Sequence, residues 1–312
     1  MKTRTLPADA SGIEQAAALL RAGELVALPT ETVYGLAADA RQGEAVAGIY
    51  AAKGRPAFNP LIVHVPSAEA AHGYVLWSEA AGRLASAFWP GPLTLVLPLR
   101  EGHGIASLVT AGLDTLALRC PAHPVAQELL QAFGGPLAAP SANPSGKISP
   151  TEAAHVLDGL SGKIAAVLDG GAAEIGLEST IVSLAGEPRL LRHGSITREA
   201  LEAALGAPLA EDVTPASVEA PGQLSAHYAP DAPLRLEARA AKPGEALLGF
   251  GDAEGATLNL SPSGDLREAA ANLFSMLRKL DESASAIAVS PIPAKGIGIA
   301  INDRLKRAAA PR

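Results

Sequence analysis

Three loops in this sequence hold side chains with chemistry to offer. In Lys53-Gly54-Arg55-Pro56-Ala57-Phe58-Asn59-Pro60-Leu61-Ile62-Val63-His64, two cations leave a helically spaced segment, and a proline-bounded loop then leads into an apolar run. Lysine supplies a point charge and arginine a planar fork, a pairing suited to a polyphosphate. The same two cations would serve equally well at a helix C-terminus, where the macrodipole favours positive charge. His64, inside the apolar run, reads by itself as a structural histidine. The second loop, Pro29-Thr30-Glu31-Thr32-Val33-Tyr34-Gly35-Leu36, sets hydroxyls after an apolar strand. Such hydroxyls can meet a ligand, but taken alone the cluster reads better as a turn whose side chains serve its own backbone. The third is Pro140-Ser141-Ala142-Asn143-Pro144-Ser145-Gly146, with Ser149 ahead of a helix near Thr151. Its small residues allow close backbone approach, and its Ser and Asn offer neutral hydrogen bonds to phosphate or ribose oxygens near a helix N-terminus. A plain loop and cap would look the same.

Positioning these loops requires a mixed α/β layout. Ser11 and Glu14 have capping-box spacing ahead of an apolar-periodic helix to Arg21, with Gly23 as its terminator. Strands are predicted over 24–28, 61–65, 93–97, 115–119, 164–168 and 180–184, and helices over 44–53, 124–133 and 151–157. Arg119 then ends one strand, Arg192 ends another, and Glu178-Ser179-Thr180 opens a third. Polar groups at strand ends of one sheet converge on the crevice where α/β folds bind ligands. From Leu209 to Pro233 the periodicity fails and five Pro or Gly residues punctuate the chain, so a linker is predicted there. Beyond it, strands over 234–236, 246–250 and 286–289 alternate with helices over 266–279 and 298–306, the pattern of a small parallel α/β unit.

Composition narrows the classes. The 312 residues carry 25 basic and 32 acidic side chains, a net charge of −7, which is the wrong sign for a protein that neutralises nucleic-acid phosphates over a broad face. Residues 1–230 hold 14 basic and 22 acidic groups, while residues 231–312 are nearly balanced with 11 and 10. Four of those 14, Lys53, Arg55, Arg119 and Arg192, fall in the segments above, so positive charge is local rather than general. A hydrophobic fraction of 48% suits a chain with a sizeable core and roughly two domains. The single cysteine, Cys120, excludes an internal disulfide and a cysteine-based zinc site, and with no apolar run of about 18 residues it predicts a cytoplasmic protein. No phosphate-loop motif and no G-x-S-x-G elbow occurs, Gly249–Gly255 misses the dinucleotide spacing by one residue, and the seven histidines show no paired metal-ligand spacing.

The ordered set Thr-Glu-Thr-Val-Tyr-Gly-Leu at 30–36, Lys-x-Arg at 53 and 55, Asn-Pro-Leu at 59–61, Trp-Pro-Gly-Pro-Leu-Thr at 89–94, Ser-x-Asn at 141 and 143, and Glu-Ser-Thr-Ile-Val at 178–182 resembles the YrdC-like domain family. With His227-Tyr228-Ala229-Pro230 in the linker, nearly the whole chain resembles its two-domain form, the L-threonylcarbamoyladenylate synthases. The resemblance implies a YrdC-like twisted mixed sheet with helices at 1–208, a linker crossing the active site at 209–233, and a smaller Rossmann-like parallel α/β domain at 234–312. It implies formation of threonylcarbamoyl-AMP and pyrophosphate from L-threonine, bicarbonate or CO2, and ATP, for threonylcarbamoyladenosine modification of tRNA by a downstream transferase. By resemblance, L-threonine falls to Thr32, His64, Arg119, the Ala139 backbone and Ser179. ATP falls to Lys53, Arg55, Asn59, Thr115, Ser141, Asn143, Ser149, Arg192 and Tyr228, with Lys53, Arg55, Ser141 and Asn143 as the catalytic set. Mg²⁺ is expected on the ATP phosphates without a protein-held site. Two other readings stand beside this one. An RNA-binding YrdC-like module is opposed by the acidic balance, and a hydrogenase-maturation relative is opposed by the single cysteine.

Overall fold

The computed structural model describes residues 2–210, 220 and 227–311. In chain order the elements are β1 (Arg4–Pro7), α1 (Ala10–Arg21), β2 (Val26–Leu28), β3 (Gly35–Asp39), α2 (Gly43–Lys53), β4 (Ile62–His64), α3 (Ala68–Ala71), α4 (Glu79–Phe88), β5 (Leu93–Pro98), α5 (Ser107–Thr110), β6 (Thr115–Arg119), α6 (Pro124–Phe133), β7 (Leu137–Ala138), α7 (Ala153–Leu160), β8 (Ala166–Asp169), β9 (Thr180–Ser183), β10 (Arg189–Arg192) and α8 (Arg198–Leu205). These are followed by β11 (Leu234–Arg235), β12 (Glu245–Gly249), β13 (Leu258–Asn259), α9 (Leu266–Asp281), β14 (Ala286–Val289) and α10 (Ile297–Ala308).

Strands β1 to β10 form one mixed sheet in the order β1-β8-β2-β3-β7-β4-β6-β5-β9-β10. Strand alternation divides its side chains between two faces. On one face, Leu36, Val63, Leu95, Leu118 and Val182 meet apolar residues of α2, α4, α5, α7 and α8. On the other, α1 and α6 cover only the half that carries Leu6, Val26, Leu28, Leu137 and Leu168. The remaining half presents Ile62, Val96, Ala117, Ile181 and Leu191, on which Ala220 packs. Among the described residues no helix covers this half of the sheet, which is the floor of the site. The linker predicted over 209–233 lies mostly outside the described residues, at 211–219 and 221–226.

The second sheet is wholly parallel, in the order β11-β14-β12-β13. Leu248, Ile287 and Val289 on one of its faces share a core with Leu273, Phe274 and Leu277 of α9 and Ile301 and Leu305 of α10, and Val33, Ile148 and Leu177 of the first unit enter the same core. The two units are therefore joined by a continuous apolar contact.

Three local readings change. The cap of α1 is Asp9, whose carboxylate accepts from the Gly12 amide at 2.8 Å, so the helix begins before the Ser11 capping box. The helix predicted from Thr151 begins at Ala153, and the Thr151 amide and hydroxyl pair with the His155 ring instead. Elements β1, β3, α3, α4, α5, β7, α8 and β13 add to those predicted.

Candidate active site

The site begins where β2, β4 and β6 end and β9 begins. Parallel register aligns Ile62 with Ala117 and His64 with Arg119 across β4 and β6, and antiparallel register aligns Thr94 with Arg119. The cleft on this floor is lined by Thr32, Arg55, Ile62, His64, Arg119, Ala139, Ser141, Glu178, Ser179, Arg192, His227 and Tyr228, among others. About 50 Å³ of it admits water, within a cleft of about 570 Å³. The part that admits water is well below the roughly 300–1,000 Å³ of ligand pockets, so the described side chains leave the cleft narrow.

At one end, Arg119 is 4% exposed and anchored three ways: Nε donates to the Gly91 carbonyl at 3.2 Å, Nη1 to Thr32 Oγ1 at 2.7 Å, and Nη2 to Glu31 Oε1 at 2.6 Å. Three of five N–H donors are engaged, leaving two for a ligand carboxylate. Thr30 donates its hydroxyl proton to the Val33 carbonyl at 2.6 Å, so the 2.8 Å contact between the two threonines requires Thr32 to donate to Thr30. The Thr32 oxygen is thereby left as an acceptor for Arg119. The turn reading of this loop holds at Thr30, while Thr32 lines the cleft beside Arg119. Burial pushes the Glu31 carboxyl up, but the adjacent Arg119 guanidinium more than reverses this and holds it below the usual carboxylate range. Burial, reinforced by Arg119, pulls His64 down to about 3, so its imidazole is neutral, and its buried Nδ1 has no partner.

Toward the other end, Arg55 donates to two carbonyls, Nε to Asn59 at 3.2 Å and Nη2 to Pro60 at 2.9 Å, with the Tyr50 hydroxyl beside it. Burial draws it down to about 10, so it stays cationic at neutral pH. Lys53, beneath the cleft wall, donates to the carbonyls of Ser141 at 2.6 Å and Asn143 at 2.5 Å, and burial together with Arg55 pulls its pKa well below the ordinary lysine value. Asn143 Nδ2 closes the same loop onto the carbonyls of Pro144 and Lys147. The structure thus places Lys53 and Asn143 as builders of the Ser141 loop rather than as cleft lining. Asn59 is buried with Oδ1 unpartnered. Thr115 opens β6 opposite Pro98 of β5, about 13 Å of strand from Arg119, and is not among the residues that line the cleft.

Arg192 closes the third side, donating through Nε to the Ser179 carbonyl and through Nη2 to Ser179 Oγ, both at 3.0 Å, and Ser179 Oγ also meets Thr94 Oγ1 at 2.7 Å. Ser149 gives its hydroxyl to Glu178 rather than facing a helix N-terminus. Over the cleft, Ala229 donates its amide to the Gly146 carbonyl at 2.8 Å, which docks His227 and Tyr228 on the 141–147 loop. Burial pulls His227 down to about 3, so it too is neutral. Sequence reasoning gave no site role to Glu31, Glu178 or Arg304. All three act through partners far away in the chain; Glu31 and Glu178 stand inside quoted motifs, and no motif marks Arg304.

Fold and site together define an α/β protein that takes anionic small molecules into a buried, covered cleft. Residues 18–194 match the family model described as Telomere recombination, Sua5/YciO/YrdC, and residues 196–310 match the threonylcarbamoyl-AMP synthase C-terminal domain. Threonylcarbamoyl-AMP synthase of Bacillus subtilis is 42% identical, over 96% of this chain and 93% of its own. That of Pyrococcus abyssi is 41% identical, over 95% and 93%. The crystal structure of P. abyssi Sua5 complexed with L-threonine superimposes with a TM-score of 0.90 at 37% identity, covering 99% of this chain and 98% of that one. The chain belongs to the threonylcarbamoyl-AMP synthase family. The two family models meet near residue 195, whereas Leu201 and Leu205 of α8 pack into the core of the first unit.

Proposed function

We propose that this cleft forms threonylcarbamoyl-AMP and pyrophosphate from L-threonine, bicarbonate or CO2, and ATP, supplying a separate transferase that modifies tRNA in the cytoplasm. One observation carries the reading. Arg55, Arg119 and Arg192 line one cleft with Lys53 beneath its wall, and the two buried carboxylates beside it among the described residues, Glu31 and Glu178, are already paired with Arg119 and with Arg304. Each buried charge costs several kcal/mol unless compensated, and the residual positive charge calls for an anionic ligand.

In this reading, the two remaining N–H groups of Arg119 take the carboxylate of threonine, and Ser179 and the Ala139 backbone flank it. Neutral His64 adds no charge beside Arg119 and leaves a ring nitrogen for the substrate's amine or hydroxyl. The amine adds to CO2 and gives up a proton to water. A carbamate oxygen then attacks the α-phosphorus of ATP as the bond to the β-phosphate breaks and pyrophosphate leaves. Arg55, Arg192 and the Ser141 loop hold the phosphates, with Asn59, Thr115, Ser149 and Tyr228 on the nucleotide side. Catalysis is then largely positioning of two anions and neutralisation of the departing charge. Mg²⁺ is assigned to ATP oxygens and water, as suits a hard, well-hydrated cation.

No helix among the described residues is long and apolar enough to cross a membrane, and the buried lone Cys120 accords with a reducing compartment. The test is pyrophosphate release by purified protein with MgATP, with mass detection of the labile adenylate. Release that needs threonine and bicarbonate together is expected. Equal release with serine, or without bicarbonate, would overturn the reading.

A further inference from the structure

Arg304 lies on α10, in the C-terminal unit, yet it is 1% exposed and its charged end is inside the first unit's site. Nε donates to Glu178 Oε2 at 3.0 Å, 126 residues away in the chain, and Nη1 to Asp303 at 2.9 Å. Its guanidinium carbon stands 5.4 Å from the centroid of the Tyr228 ring, in cation–π range. The other oxygen of Glu178 accepts the Ser149 hydroxyl, and the next residue, Ser179, holds Arg192 through both its carbonyl and its hydroxyl. One guanidinium therefore touches the segment that fixes Ser149 and Arg192 as well as the aromatic ring that covers the cleft.

The cover itself depends on the C-terminal unit. Tyr228 has φ 64°, a left-handed conformation that a bulky residue holds only when its surroundings impose it. Those surroundings are Phe274 of α9, stacked at 5.7 Å and 28°, and Arg304. The neighbouring His227 donates its amide to the Arg307 carbonyl at 3.3 Å, again from α10.

We infer that Arg304 is a positioning residue through which the C-terminal domain sets the nucleotide side of the cleft, holding Tyr228 over it and Glu178 beneath it. The assignment of that side to ATP rests on the function proposed above; the holding of Tyr228 does not. Two measurements on the full chain separate them. Without any substrate, hydrogen exchange at the His227 and Ala229 amides should quicken at least tenfold in Arg304→Met, while the amides of β6 keep their protection. Unchanged exchange at 227 and 229, or an equal rise throughout the first unit, would overturn the inference whatever the chain catalyses. In the pyrophosphate assay, with the parent protein as control for the reaction itself, KM for ATP should rise at least tenfold and KM for threonine less than twofold. Parallel rises in both, or a loss that simply adds to that of Tyr228→Ala in the double variant, would reduce Arg304 to a fold-supporting residue and overturn the inference. Should Arg304→Met fail to fold, Arg304→Lys keeps the charge near Glu178 but loses the planar face against Tyr228. It should show the same ATP-selective shift at threefold or more, and no shift overturns the inference.

Discussion

Removing Arg119 should damage the protein in two separable ways. Its Nη2 is paired at 2.6 Å with Glu31, and their side chains are only 5% and 7% exposed. Arg119→Met would leave the Glu31 carboxylate buried without its cation, and Oε2 of that carboxylate already lacks a partner. Breaking a buried pair from one side typically costs about 3–5 kcal/mol, because the remaining charge is stranded. For a unit of this size, a loss of that order lowers the melting temperature by roughly 10 °C. The same substitution removes the two N–H groups left for a substrate carboxylate. A charge-assisted hydrogen bond worth about 1.5–3 kcal/mol corresponds to a rise of roughly 10- to 150-fold in the threonine requirement.

Glu31→Gln separates the two effects. The amide retains an acceptor for Arg119 and carries no charge to strand, so Arg119→Met combined with Glu31→Gln should regain most of the lost melting temperature. It should regain none of the threonine affinity. Melting curves and threonine titrations of pyrophosphate release on the four proteins of this cycle provide the check. If the double variant also recovers its threonine requirement, Arg119 acts on the substrate only through folding and the carboxylate assignment fails. If Arg119→Met melts with the parent, the buried pair does not stabilise the fold as argued.

Three further outcomes are expected. Lys53→Met leaves the Ser141 and Asn143 carbonyls without their ammonium donor, and should cost about 1–3 kcal/mol in urea unfolding together with at least tenfold in pyrophosphate release; unchanged stability would contradict the role of Lys53 in the loop. His64 is held down to about 3 against an ordinary 6.5, so between those values the unfolded chain binds a proton that the folded chain refuses. Stability is then full above pH 6.5 and falls as pH drops, and the parent should lose about 2 kcal/mol more than His64→Asn between pH 7 and pH 5, an equal loss in both arguing against a neutral buried ring. Truncation after Ala210 removes Tyr228 and uncovers Val33, Ile148 and Leu177; it should bind an apolar dye and raise the ATP requirement at least tenfold, whereas intact activity would show the tail to be no part of the site.

What the sequence displayed was set by local physics. Strands β6 and β9 are apolar runs with polar residues at their ends, so Arg119 and Ser179 could be placed at one edge of a sheet before any pairing was known, whereas His64, inside the run predicted over 61–65, read as structural and proves to be the last residue of β4. β3 was not legible because Gly-Leu-Ala-Ala-Asp is buried throughout and therefore shows no alternation. The Ser11 box was a competent signal, outranked by a carboxylate two residues earlier. Long-range pairings left no trace in either partner's neighbourhood. Glu31 with Arg119 is set by the strand order, and Glu178 with Arg304 by the docking of two units, and neither order nor docking is encoded in a spacing. For Lys53 the motif marked the right residue and charge, but only the geometry shows that its ammonium is spent on backbone carbonyls.

The kind of partner each cation has explains how an acidic chain can hold a polyphosphate. A carbonyl offsets desolvation while leaving the cation's full charge in place, whereas a carboxylate cancels it. Arg55 donates to the Asn59 and Pro60 carbonyls and stays cationic, so its end of the cleft remains positive. Arg119 carries Glu31, so its end is close to neutral while still offering two directed donors. A triphosphate needs charge, and an amino acid with one carboxylate needs direction more than charge. Exchanging the two substrates would set the triphosphate beside Glu31 and a single carboxylate in the more positive end, a poorer match at both. The polarity of the cleft therefore follows from how its cations are solvated by the protein, and it supports threonine at Arg119 and the phosphates at Arg55.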